Sequence, residues 1–131
     1  MITLVEPCER YLQSYMEAHD EYEMHGVGTY AFDDARAYNI FEKYDNYRKE
    51  RNLPQNRVGS HFYWFVDEER NYFIGEISIR HRLTDSLRRY GGHIGYGVRF
   101  SEGALSSQVQ HLVIKDFRRS FPSQAFARSS I

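Results

Sequence analysis

The chain has almost no cysteine. Of its 131 residues only Cys8 carries a thiol, which excludes an internal disulfide and a zinc site built from thiolates. It also has no surplus of either charge. Seventeen Lys and Arg face 18 Asp and Glu, and a net charge of −1 is too little for a whole-molecule field that holds a nucleic-acid backbone. No run approaches the roughly 18 apolar residues of a membrane span. The start, Met1-Ile-Thr-Leu-Val-Glu-Pro7, has no basic region followed by an apolar stretch, so no secretory signal is expected and a reduced cytoplasmic setting is the default. The six histidines (19, 25, 61, 81, 93 and 111) show no ligand spacing such as i, i+4 on a helix, and no metal is expected.

Aromatic residues are abundant. Eleven Tyr, nine Phe and one Trp make up 16% of a chain long enough for one domain with a real core. The composition changes near residue 100. Every Tyr lies at or before Tyr96, whereas Phe100 to Ile131 contains seven Ser and one Gly. Residues 1–99 carry 13 basic and 16 acidic side chains, and residues 100–131 carry four and two. Thirty-two residues are too few for an independent core without staples.

The apolar pattern predicts a short strand over Ile2–Val5. A helix follows from Cys8 to Met24, with Pro7 at its start and Gly26 and Gly28 past its end. Asp33 or Asp34 is expected to cap a second helix, which carries Ala37, Tyr38, Phe41, Tyr44 and Tyr47 and is stopped by Pro54. The period then changes to two. Val58–Val66 reads as a strand buried on both faces, and Glu68-Glu-Arg-Asn71 as a polar turn. In Tyr72–Arg82, Phe73, Gly75, Ile77, Ile79 and His81 are expected on a mainly apolar face. Tyr72, Ile74, Glu76, Ser78, Arg80 and Arg82 are expected on a largely polar one. His93–Arg99 is a further strand. Two helices followed by an antiparallel meander predict an α+β fold. Leu105, Val109, Leu112, Val113 and Phe117 would share one face of a tail helix.

The stretch Tyr72-Phe-Ile-Gly-Glu-Ile-Ser-Ile-Arg-His-Arg-Leu83, followed by Gly91-Gly-His-Ile-Gly-Tyr-Gly-Val-Arg99, resembles the GNAT superfamily of acyl-CoA N-acyltransferases. It is most similar to a bacterial group of predicted acetyltransferases that shares a GGHIGYGVR segment. The resemblance covers residues 1–99, and it implies a mixed, mainly antiparallel sheet behind two N-terminal helices. It also implies acetyl-CoA as co-substrate and a small amine or a peptide N-terminus as acceptor. In that family the strand matching His93–Arg99 lies along the pantetheine arm and donates to the thioester oxygen. The resemblance carries that role to Gly97, Val98 and Arg99. The next family element is a loop of the form Arg/Gln-x-x-Gly-x-Gly/Ala, whose amides cradle the diphosphate of coenzyme A at a helix N-terminus. Here Phe100-Ser-Glu-Gly-Ala-Leu-Ser-Ser107 lacks it: Phe100 stands three places before Gly103, and Leu105 two places after. No Tyr after Tyr96 can protonate a departing thiolate. The sheet is therefore expected to be incomplete on its C-terminal side. One account is a truncated or frameshifted acetyltransferase, inactive as written, with a non-family tail over 100–131. A diverged but complete small protein is the other.

Within that scheme Glu76 is the candidate general base, because it lies on the polar face of a central strand; pairing with Arg80 is the plain structural alternative. His93 is the second candidate, as a proton shuttle near neutral pH, against an ordinary hydrogen-bonded role at a strand end. Arg80, Arg82, Arg88 and Arg89 gather positive charge near one end of the hairpin and could meet an acidic substrate or phosphates. A competing reading needs no catalysis. An unfinished edge at His93–Arg99 would pair with another chain, giving a homodimer or an interaction module.

Overall fold

The structure is a computed structural model that describes residues 2–26, 32–84 and 94–105, with His111 and Lys115 as two further helical positions. Four strands form one antiparallel sheet in the order β1-β2-β3-β4, where β1 is Ile2–Val5, β2 Ser60–Asp67, β3 Tyr72–Arg80 and β4 Ile94–Val98. Two helices, α1 (Leu12–Met24) and α2 (Ile40–Lys49), stand between β1 and β2 in the chain. The expected α+β architecture is present. Among the described residues no helix is long and apolar enough to cross a membrane.

Local chemistry accounts for the helix ends. A 3-10 turn at Glu9–Tyr11 leads into α1; Tyr11 of the turn and Ser14, Tyr15 and Ala18 of the helix face inward at spacings of three and four. The helix ends where Gly26 takes φ +67° and its amide reaches the Glu23 carbonyl. The cap expected at Asp33 or Asp34 is not the one that starts α2. Asn39 caps it, its side chain accepting from the Phe41 and Glu42 amides at 3.0 and 3.4 Å. Asp34 closes only a turn, accepting from the Arg36 and Ala37 amides. Ala37 and Tyr38 therefore precede the helix, which presents Ile40 and Tyr44 to the core. Glu50, in the left-handed conformation, terminates α2 ahead of Pro54.

Both helices pack on the same side of the sheet. There Tyr15 stacks on Trp64 with ring centroids 5.0 Å apart, and Phe73 meets both rings edge-on at 5.0 and 5.2 Å. Such pairs contribute about 1 kcal/mol each beyond the area they bury. The opposite side is a second buried cluster built on Phe65, Ile74, Ile77, Ile79, Ile94 and Val98. Trp64, Phe65 and Val66 are thus all buried, on alternating sides, as expected for a strand covered on both faces.

The simple alternation expected for β3 does not hold. Phe65 pairs with Gly75, but the next residue, Val66, pairs with Phe73, so Ile74 is one residue too many. This β-bulge moves Phe73 to the helix side and leaves Ile74 with Ile77 and Ile79 on the other. Phe73 therefore shares its face with Glu76 and Ser78. The liberated Phe73 amide donates to the Ser14 hydroxyl of α1 at 2.8 Å.

The segment after β4 is a 3-10 helix, Phe100–Leu105, held against α1 by the Phe100 ring on Tyr22 and His25. The tail helix expected to begin at Leu105 lies almost wholly outside the described residues, as do Arg88 and Arg89.

Candidate functional site

Glu76 sits at the middle of the sheet, opposite Trp64 of β2 and Gly97 of β4. Its neighbours explain why a carboxyl group is tolerated there. The Trp64 indole N–H donates to the Tyr44 hydroxyl at 3.3 Å, and the Asp33 amide donates to the Tyr15 hydroxyl at 2.9 Å. Tyr15 and Tyr44 also bond one another, and the Tyr44 hydroxyl stands beside Glu76. Burial, with the Glu76 charge next, pushes both phenols well up, so they remain neutral donors. Lys43 of α2 pairs with Asp33. Together Asp33, Lys43, Glu76 and Ser78 line a cavity of about 130 Å³, with Gly95 and Gly97 of β4 as its glycine wall.

Burial raises Glu76 to about 8; the Lys43 ammonium opposes that shift, Asp33 adds to it, and Tyr44 opposes it. The carboxyl group is half-buried and lines the cavity. At neutral pH it holds its proton most of the time, and above about pH 8 it becomes a base in a cavity the size of a few water molecules. A group whose acidity is matched to near-neutral pH can take a proton from an attacking amine and return it.

The three β4 positions divide by direction. The Arg99 amide donates to the Ile74 carbonyl at 2.7 Å, and the register continues as Glu76–Gly97 and Ser78–Gly95. Antiparallel alternation then turns the amides of Gly97 and Arg99 toward β3 and that of Val98 away from it. Of the three, only Val98 offers its main chain to an outside ligand, and its carbonyl already accepts from the Tyr22 hydroxyl at 2.6 Å. Arg99 is 6% exposed, and its side chain is bound inward, to the Glu21 carboxylate, the Ser14 hydroxyl at 3.1 Å and the Phe73 carbonyl at 3.3 Å. It fastens α1 to the end of the sheet.

The Glu21 carboxylate continues into the segment that follows β4. It accepts the Ser101 amide at 3.0 Å, while the Glu102 amide is used by the Arg99 carbonyl at 2.9 Å. Burial would raise Glu21, but the Ser101 amide and Arg99 outweigh it and hold Glu21 below the usual carboxylate range. The first turn of this segment is thus closed by an internal anion, where a diphosphate would need free amides.

His93 lies outside the described residues. The remaining histidines include one close pair: His61 Nδ1 and His81 Nε2 are 2.8 Å apart, and His81 Nδ1 is 3.2 Å from Glu50. Burial, then His81, lowers His61. Among the described residues one group, His19, Asp20 and Glu23, brings three ligand atoms within 4.8 Å of one another. Asp20 there is held by both terminal nitrogens of Arg36, at 2.8 and 3.0 Å.

Sequence reasoning placed Glu76 centrally but missed Asp33, Lys43, Tyr44 and Ser78 around it. Ser78 was recoverable from its spacing of two from Glu76. The others come from α2 and the turn before it, and nothing in their spacing points at β3. No family model matches the chain, and no curated protein or solved structure matches it either.

Proposed function

We propose that this chain is built as an acyl-CoA-dependent N-acyltransferase of the GNAT kind, moving an acetyl group to a primary amine, and that in this form it does not grip the cofactor. The observation that carries the reading is the placement of Glu76. A carboxyl group tuned to about 8 opens into a cavity whose other wall is the Gly95–Gly97 stretch of the last strand. In such a site Glu76 would take the proton of the attacking amine, directly or through water, while the main chain of β4 lies along the thioester arm. The inactive state rests on the residues after β4: the glycine pattern is absent, and Glu21 occupies the Ser101 amide.

The test is the coding DNA beyond codon 99. Another frame that reads Arg/Gln-x-x-Gly-x-Gly/Ala, then a helix and a strand, supports the frameshift account; early stops in both other frames sink that account and make residues 100–131 native. Titration with acetyl-CoA in a thermal-shift assay is expected to give no stabilisation, and a saturating rise in melting temperature would overturn the inactive state.

A second reading is favoured by one observation. Among the described residues β4 is the last strand in the sheet order, the position at which a strand of another chain would add. Self-association measured by size exclusion with light scattering supports this module, and a monomer at high concentration removes it.

A further inference from the structure

Glu50, His81 and His61 form a row that joins the end of α2 to the open end of the β2–β3 pair. His81 Nδ1 is 3.2 Å from the Glu50 carboxylate, and His81 Nε2 is 2.8 Å from His61 Nδ1. With both rings neutral, the protons of this row have one arrangement. Arg82, then His81, hold Glu50 below the usual carboxylate range, so at neutral pH it only accepts. His81 Nδ1 therefore carries the proton that it donates to Glu50. Its Nε2 is then bare and accepts from the Nδ1–H of His61. His61 is left with its lone pair on Nε2, an atom that makes no hydrogen bond among the described residues.

The surroundings hold the row in place. A Cβ on Gly59 would collide with the Glu50 side chain and lie 2.5 Å from His81 Nδ1, so glycine at 59 is what leaves room for their contact. The His81 amide donates to the Gly59 carbonyl at 2.9 Å and fixes the ring beside that space. Glu50 takes the left-handed position that ends many helices and favours glycine; a carboxylate placed there reaches both His81 and Arg82. At the other end of the row, β1 pairs with β2 only over Trp64–Asp67. Where Glu6 and Pro7 follow β1, the half-buried His61 lines a cavity of about 140 Å³ together with Phe41, Tyr44 and Arg48. Burial, His81 and Arg48 all favour the neutral His61 ring, and Glu6 opposes them. Asp45, on the same cavity, is taken by Arg48, Lys49 and Arg51.

We propose that Glu50 and His81 make His61 Nε2 a second reactive position of this chain, a base and nucleophile for a small molecule that carries an O–H or N–H group. In the proton-transfer step the ligand's O–H or N–H bond breaks, its electron pair stays on the ligand atom, and the proton joins Nε2. The Nδ1 proton of His61 can then pass to His81 Nε2, which moves the positive charge next to the Glu50 carboxylate. A carboxylate that acts through one imidazole on another group is a general way to orient and strengthen a base. The site shares no lining with the glycine wall beside Glu76 and does not depend on acyl transfer from coenzyme A.

The experiment uses the full chain and has two readouts. Long-range ¹H–¹⁵N spectra of the histidine rings at pH 7.5 are expected to show His61 protonated on Nδ1 and bare on Nε2. The second readout is the rate at which diethylpyrocarbonate modifies each histidine, mapped by mass spectrometry. That reagent adds an ethoxycarbonyl group to a bare imidazole nitrogen and releases carbon dioxide and ethanol. Glu50→Ala is expected to slow the reaction of His61 about tenfold. Glu50→Gln keeps an acceptor for His81 but loses the charge, and should slow it by less. His25, whose Nδ1 lies 2.9 Å from the Glu21 carbonyl, is the internal control and should react at the same rate in all three chains. Glu50 is exposed, so both variants should fold, and their spectra check it. A proton found on Nε2 of His61 in the unaltered chain overturns the proposal. So does a His61 rate that neither Glu50 variant lowers relative to His25.

Discussion

On the side of the sheet that faces α1 and α2, Tyr15, Tyr44, Trp64 and Phe73 surround hydroxyls, an indole N–H and, at their margin, a carboxyl group. On the other side Phe65, Ile74, Ile77, Ile79, Ile94 and Val98 are packed together, with Tyr63, Tyr72 and Tyr96 only partly buried against them. The aliphatic side can contribute only burial and close packing. The aromatic side buries rings and keeps donors at the ring edges, so it can hold an ionisable group in place. Among the described residues the half-buried ionisable Glu76 lies on one face, and the other is a packed layer of mainly aliphatic side chains.

The largest expected effect comes from the aliphatic side. Ile77→Ala should cost about 4 kcal/mol in urea unfolding, because Ile77 is fully buried and its loss leaves a cavity. That cost should be the same from pH 5 to 8. If it varies with pH, the two faces are not independent.

Arg99→Leu is expected to cost about 3 kcal/mol at pH 7, since it strands Glu21 and the Ser14 hydroxyl beside an apolar side chain. Glu21 is held below its ordinary range, so the stability it contributes is present above the unfolded value near 4.5 and is lost as pH falls through the folded value. The penalty of Arg99→Leu should therefore shrink as the solution is acidified below the ordinary carboxylate range and Glu21 takes up a proton. A penalty that stays constant there removes Glu21 from the account.

Glu76 has the opposite sign. Its folded-state value, about 8, lies above the unfolded value of 4.5, so the folded chain binds the extra proton between them. Stability should fall as pH rises through that window, by up to about 1.4 kcal/mol per pH unit from this group. Glu76→Gln should flatten the slope and raise stability at pH 8, in parallel denaturations of the two chains. A slope unchanged by Glu76→Gln would mean that the carboxyl group is solvated and not poised.

The smallest effect tests the scaffold that carries Lys43 and Tyr44. Asn39→Ala removes the acceptor for the Phe41 and Glu42 amides and should cost about 1 kcal/mol, without pH dependence. Asp34→Ala, which opens only a turn, should cost less than Asn39→Ala. The reverse ranking would restore the cap expected from the sequence.

Periodicity carried the strands well. Ile2–Val5 was legible as it stands, and the other three strands within two residues at each end, because aromatic and β-branched residues there alternate between two buried sides. The start of α2 was not legible. Asp33, Asp34 and Asn39 are all capable caps, and the choice is made by where Ile40 and Tyr44 can reach the core. Glu76 was found because a carboxylate among Ile and Gly in a central strand is conspicuous. Its partners were hidden, since a contact between α2 and β3 leaves no pattern along the chain. The bulge was hidden for the same reason, as nothing in Phe73-Ile-Gly-Glu76 marks which residue is supernumerary.

That supernumerary residue gives β3 a parity. Removing any one position between Phe73 and Glu76 would exchange the sides addressed by everything beyond it, sending Glu76 and Ser78 into the isoleucine layer and Ile77 toward the tyrosines. Gly75 is fixed in identity as well, since a Cβ there would lie 2.6 Å from the Gly97 carbonyl oxygen, so in this stretch both length and the glycine matter. The count of residues in this short stretch decides which layer of the molecule Glu76 faces.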